Sequence, residues 1–444
     1  MTRQPFFRKP RLAPLLLALG ISMSLSVRAQ SLVDLYTAAR SYDATFQSAK
    51  MQFDATMAKA EQAQAALLPT AGFNTTVSRT SQEVFPTPER AYGTQSATLS
   101  ASQPLYRPAS WAGYRQGKKQ VDLAQAQILV AEQDLIVRVS QAYFDVLASA
   151  DSLTFVKTQK TAVAEQLASA KRNFEVGTST ITDSREAQAK FDLVVAQELA
   201  AENDLRVKSI ALNQLVGQQN AAPKPLLAPV VLTAISPADV EQWVIQSQDN
   251  HPGINQLAVA REVAALETTK AQAGHLPTLD LNGSYSAVNN NGSSTGIGDG
   301  RVNVATLGLS VNVPLFAGFS IQNRIKETLA LEAKAQADLE ATQRTVAQAT
   351  RTAYFGVQSG QAQVKALEAA ESSSQSALDA NKLGYQVGVR INIDVLNSQS
   401  QLYDTKAKLA KARYDVLVGG LKLRQAAGTL KAEDLQPINA QLAK

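Results

Sequence analysis

The chain alternates between two spacings of its apolar residues, one typical of strands and one typical of helices. Residues 279–288 (LDLNGSYSAV) and 305–313 (ATLGLSVNV) place apolar or small residues at every second position, with polar residues or glycine between them. This alternation predicts strands of about ten residues with one apolar face. Together with a weaker alternation earlier in the chain, it predicts two β-hairpins, at about 70–104 and about 278–313. Such strands fit either an outer-membrane barrel or a small sheet lying on helices.

Two very long stretches with helical spacing follow the hairpins, at about 109–172 and about 318–383. The first has roughly 64 residues, which at about 1.5 Å per residue gives a helix on the order of 95 Å long. A helix of this length has to pack lengthwise, and its heptad spacing with small residues favours a coiled coil. Periodicity alone leaves an ordinary bundle with a kinked helix as the alternative. The heptad positions in the first stretch include Val121, Ile128, Leu135 and Ala142.

The two halves of the chain repeat each other at an offset of 208 to 211 residues. AYFDVL at 142–147 returns as AYFGVQ at 353–358, and FEVGTSTITD at 174–183 returns as YQVGVRINID at 385–394. Matches in one order at nearly one spacing indicate an internal duplication.

Each copy is predicted to contain a first helical segment, a hairpin, a long helix, a turn and a return helix. The first segments are expected at about 32–67 and 240–273. Turn 1 is expected at 173–182, and turn 2 at 384–393. The predicted parts of the mature chain are repeat 1 (30–216), a packed linker with four prolines (217–239), repeat 2 (240–428) and a C-terminal tail (429–444).

Residues 1–29 have the layout of an export signal, with a basic start, an apolar run at 12–21 and a small-residue cleavage site that ends at Ala29. The apolar run is too short to span a membrane, which disfavours a membrane anchor. The chain carries 43 basic and 38 acidic residues, and the signal holds five of the basic ones, so the mature chain is formally neutral. Its charge therefore gives no reason to expect nucleic acid as a partner.

The sequence has no pattern that indicates catalysis or a bound cofactor. It shows no phosphate-binding loop and no spacing typical of a nucleophile with its base, and its two histidines, His251 and His275, lie far from any metal-like cluster. The absence of cysteine excludes a disulfide framework and a lipid anchor. We therefore expect neither an enzyme, nor a cofactor, nor a metal site built from histidine or cysteine.

The duplicated plan resembles the TolC family of outer-membrane channel-tunnels. The resemblance covers essentially the whole mature chain, and it rests on the Leu-Pro-Thr segments before both hairpins, on PLYRPASW and AYFDVL, and above all on the paired F/Y-x-V-G…D turns. It implies a mainly α fold with a small β part, in which the internally duplicated long helices form a coiled-coil tunnel. Three chains with four transmembrane strands each would close one twelve-stranded barrel, and the linker would lie in the equatorial region of the tunnel.

The resemblance also implies a function and a set of partners. The chain would be the outer-membrane exit duct of a tripartite efflux pump or a type I secretion system, extending into the periplasm of a Gram-negative bacterium. It would conduct small molecules or unfolded proteins passively, as a homotrimer in outer-membrane lipid. A periplasmic adaptor protein and an inner-membrane transporter of the ABC, RND or MFS kind would dock at its far end. A coiled-coil scaffold without a channel would explain the helices but not the duplicated hairpins.

The two turns have a simple structural interpretation. Gly177 and Gly388 allow the chain to leave the helix, because glycine adopts left-handed dihedral angles without steric strain. Asp183 and Asp394 are expected at helix N-cap positions, and Asp183 has Glu186 at the spacing of a capping box. Capping alone would explain both aspartates.

The family resemblance adds a gate at the periplasmic entrance. It matches Tyr385, Arg390 and Asp394 of turn 2 to residues that hold or line that entrance. It implies contacts from Tyr385 to Asp183 and from Arg390 to Thr182, which lie where turn 1 meets its return helix.

Three copies of Asp394 would form an acidic ring, and a cation could bind at that ring. The ring would be weaker than in relatives that carry a second aspartate where this chain has Asn397. The residues expected at the turns and in contact with the adaptor are Val176, Gly177, Gly384, Val387 and Gly388.

Overall fold

The computed structural model describes residues 29–227, 229–292 and 300–443. The expected export signal therefore lies outside the described residues, except for Ala29. Repeat 1 contains α1 (Leu32–Tyr42), α2 (Ala44–Ala65), β1 (Thr70–Val84), β2 (Thr87–Tyr106), α3 (Pro108–Glu175) and α4 (Ile181–Val216). Repeat 2 contains α5 (Val240–Asn250), α6 (Pro252–Gln272), β3 (Thr278–Asn291), β4 (Gly300–Asn312), α7 (Ser320–Gln386) and α8 (Asn392–Ala426). Short helical segments lie between α6 and β3, at Ala273–His275, and in the tail, at Ala432–Leu435 and Gln436–Asn439 (the last is α9).

The first helical segment of each repeat is two helices and not the single helix that the sequence predicted. In repeat 1 the break lies at Asp43, whose carboxylate accepts a hydrogen bond from the Phe46 backbone N–H at 2.8 Å and so begins α2. In repeat 2 the break lies at His251, before Pro252 at the first position of α6. Proline excludes helical dihedral angles from the residue before it, which ends α5.

The four strands form one antiparallel sheet in the order β1-β2-β3-β4. The hairpins of the two repeats meet along β2 and β3, where Leu99 is paired with Tyr285. The strands have 13 to 20 residues, longer than the ten predicted, because backbone pairing continues beyond the apolar band into polar segments. In the described part of the chain, the outer edges of β1 and β4 pair with no other strand.

The two faces of the sheet differ in chemistry, as the alternation predicted. One face carries a row of paired apolar residues, and its members on β4 are largely uncovered: Leu307 is 78% exposed and Leu309 66%. The other face is lined by hydroxyl and amide groups, with Thr98 and Ser286 joined at 2.9 Å. No helix of the described residues covers the apolar face, so the alternative of a small sheet lying on helices is wrong.

The long helices pack lengthwise. α3 has 68 residues and α7 has 67, so each is about 100 Å long. α3 packs along α4 in its own repeat, and along α6 and α8 of the other repeat. Close approach of the helices depends on small residues: a Cβ added at Gly117 would lie 3.1 Å from the Cβ of Ala63 on α2. Among the described residues, no helix combines the length and the hydropathy needed to cross a membrane.

The largest apolar core lies halfway along the long helices. It joins α1, the middle of α3, the end of α4, α8 and the C-terminal tail around the fully buried Tyr143 and Phe144. The linker and the tail close this core together, because Leu226 of the linker forms a β-bridge with Leu442 of the tail. The Tyr143 hydroxyl donates to the carbonyl oxygen of Lys224 at 2.8 Å, which ties the linker to α3. The mainly helical fold with a small β part is confirmed.

Both return helices end on a glycine that lies over the break between the first two helices of its repeat. Gly217 and Gly428 each have a φ of 71°, in the left-handed region. A Cβ at Gly217 would lie 2.4 Å from the ring of Tyr42, which is an exposed side chain. A Cβ at Gly428 would lie 2.4 Å from the Cα of His251, which is backbone.

This difference gives a matched pair of substitutions. We expect Gly217→Ala to lower the free energy of unfolding by about 1 to 2 kcal/mol, the strain of a left-handed alanine, because the tyrosine ring can move away. Gly428→Ala should lower it by at least about 3 kcal/mol, since overpacking against the backbone adds to the same strain. Thermal unfolding of the purified protein, followed by circular dichroism, measures both. Equal losses in the two variants would contradict this account of the repeat junctions.

Candidate gate at the helix turns

Turn 1 connects α3 to α4 between Glu175 and Ile181. Gly177 has a φ of 75°, and the N–H of Thr178 returns to the carbonyl oxygen of Asn173 at 2.8 Å, which closes the end of α3. The next helix begins at Thr180. Its hydroxyl accepts from the backbone N–H of Asp183 at 3.2 Å, and the Asp183 carboxylate accepts from the backbone N–H of Thr180 at 3.1 Å. These two bonds form a reciprocal capping box.

The N-cap of α4 is therefore Thr180, and the prediction that Asp183 is the N-cap was wrong. Asp183 is the third residue of the helix, and Glu186 is not its partner in a capping box. Its Oδ2 atom also accepts from the hydroxyl of Ser179 at 2.6 Å and from that of Thr180 at 2.9 Å. Hydrogen bonds from Ser179 and Thr180 lower the pKa of Asp183, because they stabilise its charged form. The charged carboxylate is thus bonded within turn 1.

Turn 2 has the same backbone but different side chains. Gly388 has a φ of 81°, and the N–H of Val389 returns to the carbonyl oxygen of Gly384 at 2.9 Å. α8 begins after Ile391, which has no side-chain oxygen and makes no cap hydrogen bond. Asp394 is thus not an N-cap either, but occupies the third helical position, as Asp183 does in α4. At the repeat offset of 211 residues, Arg390 and Ile391 occupy the positions that the hydroxyl donors Ser179 and Thr180 occupy in turn 1.

The carboxylate of Asp394 consequently has fewer bonded partners than the carboxylate of Asp183. Its partner is Arg390 of turn 2, four residues earlier, with 3.7 Å between Nη1 and Oδ2. Both side chains are accessible, with 59% of the arginine and 33% of the aspartate side chain exposed. An accessible pair at this distance is a weak one. Arg390 therefore holds the carboxylate of Asp394 only weakly.

Gly384 allows Arg390 to lie back across the end of α7. A Cβ at Gly384 would be 2.7 Å from the Cγ of Arg390, so any larger residue there would displace the arginine. The equivalent position in turn 1 is Asn173, and the Nδ2 atom of Asn173 donates to the hydroxyl oxygen of Tyr385 at 3.2 Å. Asn173 and Tyr385 thus join the ends of the two long helices.

The observed contacts differ from those that the resemblance implied. Among the described residues, no hydrogen bond joins Tyr385 to Asp183 or Arg390 to Thr182; Tyr385 contacts Asn173, and Arg390 contacts Asp394. The side chain of Thr182 is exposed. The sequence analysis missed Asn173, because its role depends on how far α3 and α7 are shifted along each other, and local spacing carries no signal for that shift.

The tips of the turns carry an exposed apolar surface. Val176 is 72% exposed and Val387 66%, as expected for residues outside the helical packing. Val389 and Ile391, which the sequence analysis did not single out, are 75% and 59% exposed. We call these four residues the tip surface. Within residues 29–227, 229–292 and 300–443, no group of three or more histidine, cysteine, aspartate or glutamate residues is arranged to hold a metal ion.

Comparison with known proteins places these features in a family. The model of the outer membrane efflux protein family matches residues 35–218 and again residues 243–429, one match for each repeat. Outer membrane protein TolC of Vibrio cholerae is 34% identical over 438 residues, covering 97% of this chain and 98% of the relative. The alkaline protease secretion protein AprF of Pseudomonas aeruginosa is 30% identical over 421 residues, covering 93% of this chain and 87% of the relative.

Solved structures show the same fold. The structure of CusC has a TM-score of 0.80 at 16% identity and covers 96% of this chain and 99% of that chain. The structure of VceC from Vibrio cholerae has a TM-score of 0.76 at 19% identity and covers 89% of this chain and 96% of that chain. The chain therefore belongs to the TolC-like outer membrane efflux protein family, a family of channels and not of enzymes, and it is an outer-membrane exit duct that extends into the periplasm.

Proposed function

We propose that three copies of the chain form a gated duct, in which the sheets close a twelve-stranded barrel and the helices form a tunnel. The observation that carries this proposal is a four-stranded sheet with two free edges and one uncovered apolar face. Free edges pair with other strands, and the smallest membrane barrels have about eight strands, so one chain is too few. Because the strand number is even, β4 of one copy would run antiparallel to β1 of the next, which continues the same up-and-down order.

The two faces of the sheet suit this arrangement. Leu307, Leu309 and their neighbours on the apolar face would contact lipid, and the hydroxyl-lined face would contact water in the lumen. The helices, each about 100 Å long, would continue the lumen into the periplasm. The duct would conduct passively, and its cargo would be small molecules or unfolded proteins.

The tip surface would contact the partners that supply energy and cargo. Its four exposed apolar residues lie at the end of the helices farthest from the sheet, where a periplasmic adaptor can pack against them. The positive φ values of Gly177 and Gly388 shape this surface, and Gly384 shapes turn 2 by leaving room for Arg390. An inner-membrane transporter of the ABC, RND or MFS kind would complete the assembly.

Turn 2 would be the gate. In the closed trimer, three Asp394 residues would surround the axis, and the Asn173–Tyr385 bond would hold each turn 2 against turn 1. Arg390 and Thr182 are both exposed, and their contact is proposed for the boundary between adjacent copies. Each neutral hydrogen bond would stabilise the closed state by about 0.5 to 1.5 kcal/mol. Because this stabilisation is small, a partner that binds the open state more tightly would open the gate.

The assembly state is tested by electrophoresis with and without boiling. We expect the protein from outer-membrane fractions to migrate as a trimer when it is not heated and as a monomer after boiling, since barrel pairing survives detergent at room temperature. A soluble monomer in the periplasmic fraction would contradict the duct.

The gate is tested by conductance in planar bilayers. We expect Tyr385→Phe combined with Arg390→Ser to raise single-channel conductance, because both polar contacts of turn 2 are lost. Asn173→Ala alone should raise it partly, and adding Asn173→Ala to Tyr385→Phe should add nothing further, since the two residues share one bond. Phe174→Leu, at the copy of the tyrosine position in turn 1, is the control and should leave conductance unchanged.

The acidic ring is tested by divalent-cation block. We expect Asp394→Asn to weaken the block, because it removes the accessible carboxylates from the entrance, and Asn397→Asp to strengthen it. Asp183→Asn is the matched control: its carboxylate is already bonded to Ser179 and Thr180, so block should stay within about twofold of the parent chain. Tight block that persists in Asp394→Asn would overturn the ring.

A further inference from the structure

Aromatic side chains surround the two points where a strand passes into a long helix. Where β2 leads into α3, Tyr106 and Trp111 are about half exposed, and the Trp111 ring meets the Tyr114 ring edge-on at 6.2 Å between centroids. Where β4 leads into α7, Phe316 and Phe319 are 74% and 62% exposed and meet edge-on at 5.5 Å. Exposed aromatic rings collect where the hydrocarbon of a membrane meets the headgroups. In a barrel made of these strands, the rings therefore mark the edge of the membrane on the side of the helices.

Just beyond the rings, each long helix carries exposed cations. On α3, Arg115 and Lys118 follow Trp111 by four and seven residues, so the three side chains share one face of the helix. On α7, the exposed Lys326 occupies the position of Arg115 at the repeat offset of 211 residues. We call Trp111, Arg115, Lys118 and Lys326 the junction surface.

The three cations of the junction surface differ from their neighbours in having no acidic partner. Arg107, at the start of α3, holds the carboxylate of Asp280 with two hydrogen bonds of 2.8 Å each. Lys119 lies 2.8 Å from the carboxylate of Glu262 on α6. Within residues 29–227, 229–292 and 300–443, no carboxylate forms an ion pair with a cation of the junction surface, so these charges are left for an anion outside the chain.

Helix geometry puts the junction surface on the outside of the tunnel. α3 stands between α2 and α6: Gly117 faces α2, and Gln116 and Lys119 are bonded to α6. At about 100° per residue, these contacts place α2 and α6 about 130° apart around α3, and Arg115 and Lys118 lie on the opposite side. In a curved wall of helices, the neighbours of each helix enclose less than 180° on the concave side. The two cations are therefore on the convex side, which is the outer side of a closed tunnel.

The cations also lie at the depth of lipid headgroups. α3 runs away from the sheet, and helical side chains lean toward the start of their helix, so the cations lean back toward the sheet. The Lys118 ammonium accordingly lies 4.6 Å from the centre of the Tyr114 ring, one turn closer to the sheet than its own backbone. Arg115 is one turn, about 6 Å, beyond Trp111. The headgroups add about 5 to 8 Å to each side of the hydrocarbon, which matches this depth. The exposed acid on the same face of α3, Asp122, lies one turn farther from the sheet than Lys118.

We propose that the junction surface binds anionic phospholipid in the periplasmic leaflet of the membrane. The surface continues the apolar face of the sheet, so one lipid molecule contacts the sheet with its acyl chains and the cations with its phosphate. A zwitterionic headgroup brings a positive charge of its own close to the three cations, and an anionic headgroup does not, so the anionic lipid binds more tightly. Anionic lipid therefore gathers around the duct where the strands meet the helices. This inference rests on the proposed barrel and adds the class of lipid that surrounds it.

Quenching of tryptophan fluorescence by brominated lipid tests the proposal, because the chain contains two tryptophans. Trp243 is 6% exposed in an apolar core of α5, α7 and α8, and Trp243→Phe leaves Trp111 as the single emitter. The protein is reconstituted in equal parts of phosphatidylcholine and phosphatidylglycerol, with one of the two lipids brominated at a time. We expect phosphatidylglycerol to be enriched at Trp111 at least about threefold over phosphatidylcholine. Salt at about 1 M should remove the enrichment, since it screens exposed charges beyond about 3 Å.

Matched double variants separate these cations from the charge of the chain as a whole. Arg115→Gln with Lys118→Gln should bring the enrichment at Trp111 to within about 1.5-fold of equality. Lys365→Gln with Lys382→Gln removes two exposed cations far along α7 and should leave the enrichment unchanged. All four side chains are exposed, so neither variant disturbs a packed core.

The second repeat offers an independent measurement. Gln322 is the copy of Trp111 at the repeat offset and is exposed, so Gln322→Trp with Trp111→Phe moves the emitter to α7. We expect phosphatidylglycerol to be enriched there as well, and Lys326→Gln to reduce this enrichment at least about twofold.

The outcomes separate this inference from the proposed barrel. If neither brominated lipid quenches Trp111, the junction surface lies outside the membrane, and the placement of the barrel fails together with the lipid site. Equal quenching by both lipids leaves the barrel standing and overturns the preference. Enrichment that persists in Arg115→Gln with Lys118→Gln, or that falls equally in the control variant, overturns the role of the cations. Inorganic phosphate at constant ionic strength should leave the enrichment unchanged, and a loss would assign the surface to free phosphate instead of lipid.

Discussion

The structure depends above all on the lengthwise packing of α3 against both repeats. α3 pairs with α4 in its own repeat and with α6 and α8 of the other, so a single helix of 68 residues fixes the position of one repeat on the other. The character of this packing changes along its length. It is largely apolar around Tyr143, where the linker and tail close the core, and toward the tips it includes the hydrogen bond from Gln166 to Asn392. Apolar burial thus dominates the packing in the middle of the molecule, and hydrogen bonds contribute more of it toward the tips.

Duplication followed by a few substitutions explains how the two turns came to differ. Both turns share a left-handed glycine and an aspartate at the third helical position. In turn 1 the hydroxyls of Ser179 and Thr180 occupy the carboxylate of Asp183, which makes that turn self-contained. In turn 2 the same positions hold Arg390 and Ile391, so Asp394 keeps an accessible charge with a weak partner. The same backbone thus carries one aspartate bonded within its own turn and one aspartate with a single, weak partner.

The sequence could predict what depends on local pattern. Strict alternation at 279–288 revealed a sheet with one apolar face, and the glycines revealed both turns. It misplaced the N-cap because Thr180 to Asp183 and Asp183 to Glu186 have the same capping-box spacing, and only the backbone geometry selects the first. It missed Asn173 for another reason. Which residues meet across α3 and α7 depends on the shift between two helices that are far apart in the sequence, and local spacing carries no signal for that shift.

The central claim is that three chains form one duct whose gate is turn 2. Distances between spin labels on neighbouring copies test this most directly, because the chain contains no cysteine and each introduced thiol is the only one in its copy. One label replaces the exposed Val389 in turn 2, and the other replaces the exposed Lys422 near the largest apolar core. The account predicts one distance between neighbouring copies at each position, and it predicts that Tyr385→Phe with Arg390→Ser lengthens the Val389 distance and leaves the Lys422 distance unchanged. A label without a neighbour at either position, or equal lengthening of both distances, would contradict it.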